Sequence, residues 1–139
     1  MNSVDTLQGK SVTCTVLDHG IYELTFKDSL RTTVDEYYEI LGRIFSGKDP
    51  DGPTIRILTD GTRIKTFPIV YTAQRAQAFI DAYPVSPTNR FAMLYNEGLL
   101  FDLLNRMISI LHLDTRRNAW RYFKAADRDK AIAWLLEDI

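Results

Sequence analysis

One cysteine, two histidines and no excess of either charge leave several functions without their raw material. The lone thiol, Cys14, excludes a disulfide within the chain, and its place among Val12, Thr13, Thr15 and Val16 reads as a strand thiol of ordinary reactivity. His19 falls in a turn and His112 near a helix end, neither with a second ligand at metal spacing, so no metal and no cofactor are expected. Seventeen basic against eighteen acidic residues give a net charge of −1, too weak a field to gather nucleic acid or hold an anionic membrane. There is no Gly-x-Ser-x-Gly elbow, glycine-rich phosphate loop or dinucleotide fingerprint, which removes the usual warrants for an enzyme. The most apolar run, Leu99 to Leu113, is broken by Asp102, Asn105, Arg106, Ser109 and His112 and falls short of the ~20 residues that span a bilayer. Met1 to Gly9 lacks the basic start and apolar stretch of a signal peptide, so the expectation is a cytoplasmic protein.

What is present is the composition of an ordinary globular chain, 45% apolar, 12% aromatic and 25% charged. Its 139 residues fit one domain, expected over 1–139 with a flexible start at 1–9. Ser11 to Leu17 and Ile21 to Phe26 alternate or carry β-branched residues around Asp18-His19-Gly20, the pattern of a hairpin. Thr33 and Glu36 have the spacing of a capping box, and Val34, Tyr37, Tyr38, Leu41, Ile44 and Phe45 then recur at helical intervals until Gly47. Thr54 to Thr59 reads as a central strand ending at the turn Asp60-Gly61. Pro68 opens a second helix that Pro84 closes, with Ala73, Ala76, Phe79, Ile80 and Tyr83 on its apolar side. Arg90 to Tyr95 is apolar on both faces, as in a strand covered on two sides. A third helix runs to Leu113, a last strand occupies Thr115 to Lys124, and Asp127 caps a final helix through Leu136. The order ββαβαβαβα predicts an α/β fold, its sheet parallel after the first hairpin and covered by helices.

The closing unit, from Arg121-Tyr122-Phe123 through Asp127 to Ala131, Ala133, Trp134 and Leu135, with support from Ile55 to Asp60, resembles the STAS-like proteins. These are small domains related to bacterial anti-sigma-factor antagonists and to the cytoplasmic domains of sulphate transporters. The resemblance implies a single STAS-like α/β sandwich acting as a non-catalytic binding or regulatory module that docks on a protein partner and is, in some members, switched by phosphorylation. Where such antagonists carry an Asp-Ser-Ser-Gly stretch at the start of a helix, this chain reads Lys65-Thr66-Phe67-Pro68-Ile69, without a serine. Thr62, Thr66 and Thr72 are read as cap and turn residues.

In an open α/β sheet, ligands sit beyond the carboxyl ends of the strands, which selects Asp60, Thr62, Arg63, Asn96 and Glu97 as candidate ligand residues. Each is also a residue type that any such loop uses. Arg116, Arg117, Arg121 and Lys124 surround Trp120 and Tyr122, but strand alternation separates the basic from most of the aromatic groups, so no RNA surface is expected. The third helix is apolar over more than one core-facing stripe. Phe101, Leu104, Met107 and Ile108 are therefore the candidate contacts for a homodimer or a protein partner, ahead of full burial and, last, a membrane surface. The alternative function is a small enzyme, with Asp60 or Glu97 as general base, or an apolar-ligand carrier using the strand-end crevice.

Overall fold

The computed structural model describes residues 6–8, 11–66, 68–110 and 117–137; within them 6–8, 100, 104 and 107–110 are described as backbone alone. Six strands, β1 (Thr6–Gln8), β2 (Val12–Val16), β3 (Tyr22–Phe26), β4 (Ile55–Asp60), β5 (Asn89–Tyr95) and β6 (Asn118–Lys124), lie side by side in chain order. Strands β1 to β3 are antiparallel neighbours, and β3 to β6 pair in parallel. Helices α1 (Arg31–Phe45), α2 (Ile69–Ala82) and α3 (Leu99–Ile110) are the crossovers, and α4 (Arg128–Leu136) closes the chain. The mixed, mostly parallel sheet is as the sequence predicts, with one addition. Thr6–Gln8 forms an edge strand paired to Thr13–Thr15, so the order begins βββ.

Strand alternation divides the core in two. Val12, Cys14, Leu24, Ile57, Phe91, Met93, Trp120 and Tyr122 face α1, α2 and Phe101 of α3. Leu58, Ala92, Leu94 and Phe123 face Ala131 and Leu135 of α4. Parallel strands added in one direction by crossovers of one hand must place those crossovers on one side, leaving the other side to the last helix. The double-faced β5 follows directly: Phe91 and Met93 point one way, Ala92 and Leu94 the other. Coverage is uneven, since α1 buries eight residues and α2 completely buries only Ala76.

Two capping expectations are corrected. Helix α1 starts at Arg31 after Leu30, two residues before Thr33, because Asp28 organises the entry instead. Its carboxylate accepts from the Leu30 N–H at 3.3 Å, from Ser11 Oγ at 2.9 Å and from Thr33 Oγ1. Glu36 is thereby released from the capping box and accepts the backbone N–H of Val12 at 3.1 Å, tying α1 to the start of β2. Asp127 does occupy the N-cap of α4, but its side chain makes no cap bond and lies 3.7 Å from Lys130 Nζ. The hairpin turn is as expected: His19 and Gly20 adopt φ of 65° and 76°, the left-handed geometry that a tight link needs.

Candidate functional site

At the carboxyl ends of the strands, the predicted ligand residues first shape their own loops. Asp60, at the end of β4, accepts from the Thr62 N–H at 2.9 Å and from Thr62 Oγ1 at 2.7 Å. This is the local turn that aspartate forms with a backbone donor two residues on. Asn96, after β5, donates from Nδ2 to the Thr62 carbonyl at 2.6 Å and joins the two loops. Glu97 turns toward β6 and pairs with Lys124 at 2.9 Å, which raises the Lys124 pKa through that hydrogen bond and charge. Arg63 is exposed. Asp60, Thr62 and Asn96 are thus brought together, while Glu97 and Arg63 are not part of that network. A solvent-open groove of about 280 Å³ lies beside them, lined by Ile64, Lys65, Asn96, Glu97, Gly98 and Leu99.

Beneath the loops, on the sheet face covered by α1 and α2, the same strand ends enclose a second space that is apolar and aromatic. Phe26 of β3, Met93 and Tyr95 of β5, and Trp120 and Tyr122 of β6 form its floor, and Tyr37, Tyr38 and Ala76 its roof. The cavity volume is about 30 Å³, and toward solvent it meets the half-buried Asp28, Ser29 and Thr72. Its rings pack on one another: Phe26 and Tyr37 at 5.0 Å, Tyr37 and Tyr38 edge-on at 5.1 Å, Tyr95 and Tyr122 at 5.5 Å. Trp120 stacks on Phe91 at 4.3 Å. Burial pushes the pKa of Tyr37, Tyr38, Tyr95 and Tyr122 upward, and neighbouring phenols further raise Tyr38, Tyr95 and Tyr122, so all stay neutral and able to donate. Tyr37 is satisfied by Thr59 at 2.8 Å. Asp28 is lowered, chiefly by the Thr33 hydroxyl, and stays charged.

Two features of this pocket escape sequence reading. Gly61 appears as a turn residue, yet a Cβ there would lie 2.2 Å from Cε1 of Tyr95; the glycine lets the loop lie against the ring. Tyr37, Tyr38, Tyr95 and Tyr122 are legible as core residues, but their convergence joins α1, β5 and β6 through tertiary packing alone.

The candidate partner contacts lie on α3. Phe101 is half-buried, with its ring edge-on to Tyr122 at 6.4 Å. Leu99 and Leu103 are 76% and 38% exposed. The side chains of Leu104, Met107 and Ile108 lie outside the described residues, as does Arg116 of the basic cluster. Arg117 reaches the carbonyls of Pro50 and Ser86, Lys124 pairs with Glu97, and Trp120 and Tyr122 are buried. Of that cluster's described groups, Arg121 is exposed, with its guanidinium 5.1 Å from the Phe123 ring centroid.

Among solved structures, the chain is similar to a protein of the DUF3478 family from Shewanella loihica PV-4, described as uncharacterized and as having a SpoIIAA-like fold. The likeness covers 93% of this chain and 95% of that one, with a TM-score of 0.61 and 16% sequence identity. The fold is STAS-like. No protein-family model and no curated protein matches the sequence. In this STAS-like chain, the helix after the central strand begins at Ile69 with Pro68 at its N-cap, so the region read as lacking a phosphoacceptor serine is the entry to α2. Among the described residues, no helix is long and apolar enough to cross a membrane, and no cluster of histidine, cysteine and carboxylate side chains has metal-site geometry.

Proposed function

We propose that the protein is a non-catalytic binding module whose ligand site is the aromatic pocket between the sheet and helices α1 and α2. The observation that carries this reading is an apolar cavity at the carboxyl ends of parallel strands, where α/β sheets receive ligands. Its ionisable groups favour binding over proton transfer. The pocket carboxylate, Asp28, is lowered and already accepts three hydrogen bonds, and the raised tyrosines retain their protons. The apolar lining suits the apolar-ligand side of the alternative reading better than the enzyme side.

Equilibrating the isotopically labelled protein with xenon, an apolar probe near in size to the cavity, tests the site. Amide shifts centred on Met93, Tyr95 and Trp120, abolished by the cavity-filling Ala76→Leu, are expected. Shifts confined to α3, or none, would place binding elsewhere.

A second reading is contact between proteins through α3, favoured by the exposed Leu99 and Leu103. In this reading Phe101, Leu104, Met107 and Ile108 border the interface of a homodimer. Solution mass over a dilution series is then expected to reveal a dimer that Met107→Asp converts to a folded monomer. A monomeric wild type at every concentration would remove the reading.

A further inference from the structure

Resting on the pocket reading, we infer that the ligand carries a small alkylammonium head, its methyl group in the aromatic cavity and its charged nitrogen at the mouth beside Asp28. Among the described residues, Phe26, Tyr37, Tyr38, Tyr95, Trp120 and Tyr122 bring rings to the lining, Asp28 is the one charged side chain in it, and no lysine, arginine or histidine borders it. Aromatic faces carry the negative part of the ring quadrupole, so rings gathered around one space favour the methyl group of a cation. The volume of about 30 Å³ admits about one methyl group, which excludes rings and branched chains.

Asp28 has room for such a head. Its Oδ1 accepts from the Leu30 N–H and from Thr33 Oγ1, and its Oδ2 from Ser11 Oγ. A carboxylate offers about four acceptor sites, so one remains at Oδ2 for an N–H donor. The mouth is half-buried, and an ammonium held there keeps part of its hydration while only the methyl group is enclosed. An anionic head would face Asp28 with no cation in the lining to offset it. Arg75 lies over the Tyr38 ring at 5.5 Å, but it is outside the lining and stands 3.2 Å from the Asp35 carboxylate. A free amine and a methylated lysine side chain both present this head.

Methylammonium and methanol share a methyl group on one further heavy atom and differ in charge. Amide shift titrations of the labelled protein, with ionic strength matched by sodium chloride, compare them. Methylammonium is expected to shift Tyr95 and Trp120 in the wild type and to bind at least about tenfold more tightly than methanol, the change that a charge-assisted hydrogen bond brings. Asp28→Asn is expected to remove that difference while xenon still enters the cavity. The wild-type comparison reads the charge preference even if the variant fails to fold. Equal affinities in the wild type, a preference for methylammonium that Asp28→Asn leaves intact, or xenon shifts without methylammonium shifts would each overturn the inference and leave the pocket reading in place. No pocket shifts with either xenon or methylammonium would overturn both. Once methylammonium binds, tighter binding of Nα-acetyl-Nε-methyllysine methylamide assigns the head to a protein side chain, and weaker binding assigns it to a free amine.

Discussion

Gly61 shows how much one missing methyl group decides. The loop after β4 lies so close to Tyr95 that any side chain at this position must displace a buried ring. Gly61→Ala is therefore expected to destabilise the fold by about 1–3 kcal/mol, the usual cost of overpacking, as measured by urea unfolding. Nothing in Asp60-Gly61 as a dipeptide signals this, because turns favour the same pair for conformational reasons. Asp28 carries a second consequence. Its folded pKa is lowered, so the folded state holds its proton less readily than the unfolded chain, and the stabilisation is present above the unfolded pKa of about 3.9. That stabilisation is lost as pH falls through the folded value. Unfolding free energy should decline more steeply below about pH 4 in the wild type than in Asp28→Asn. Cys14 titrates at the other end: burial pushes its thiol up from 9.0 to about 11. Disulfide reagents at pH 8 are expected to modify it quickly only in denaturant, and equal rates with and without denaturant would show that the site opens readily.

Among the elements, α4 illustrates what a helix end requires. Its last carbonyls have no partners within the helix, and two arginines from adjacent strands supply them. Arg56 on β4 donates from Nε to the Leu135 carbonyl at 2.6 Å, and Arg90 on β5 donates to the Trp134 carbonyl while standing 3.6 Å from Glu137. The register pairs these arginines side by side. Arg56→Ala should cost about 1–3 kcal/mol, because the helix end loses a charged donor and the arginine stem its packing, whereas Arg121→Ala, on an exposed group, should cost under about 0.5 kcal/mol. Comparing the two unfolding midpoints checks the pair. The helix and its apolar residues are legible in Ala131, Ile132 and Leu135. Its terminating arginines are not, since they come from strands tens of residues earlier. The same limit explains the capping box: Thr33 and Glu36 have the right spacing, but Asp28 and the start of β2 compete for their side chains.

For the whole molecule, the pattern of residues determined a great deal. Alternation and helical spacing specified the strands from Val12 onward, the four helices, a mostly parallel sheet and the double-faced β5, because these follow from periods of 2 and 3.6 residues read locally. The STAS-like fold was legible for the same reason, as a succession of such elements closed by the Tyr122-to-Leu135 unit. Thr6–Gln8 was not, since three residues carry too little period and gain their strand only by pairing with β2. The pocket also lay beyond reach. Sequence directs attention to polar residues in strand-end loops, and Asp60, Thr62 and Asn96 do meet there, bonded to one another. Only packing brings Tyr37 and Tyr38 from α1 over Tyr95 and Tyr122 from separate strands and leaves a space between them. Local pattern decides which residues turn inward; the distances between inward-facing groups remote in the chain exist only once the elements have packed.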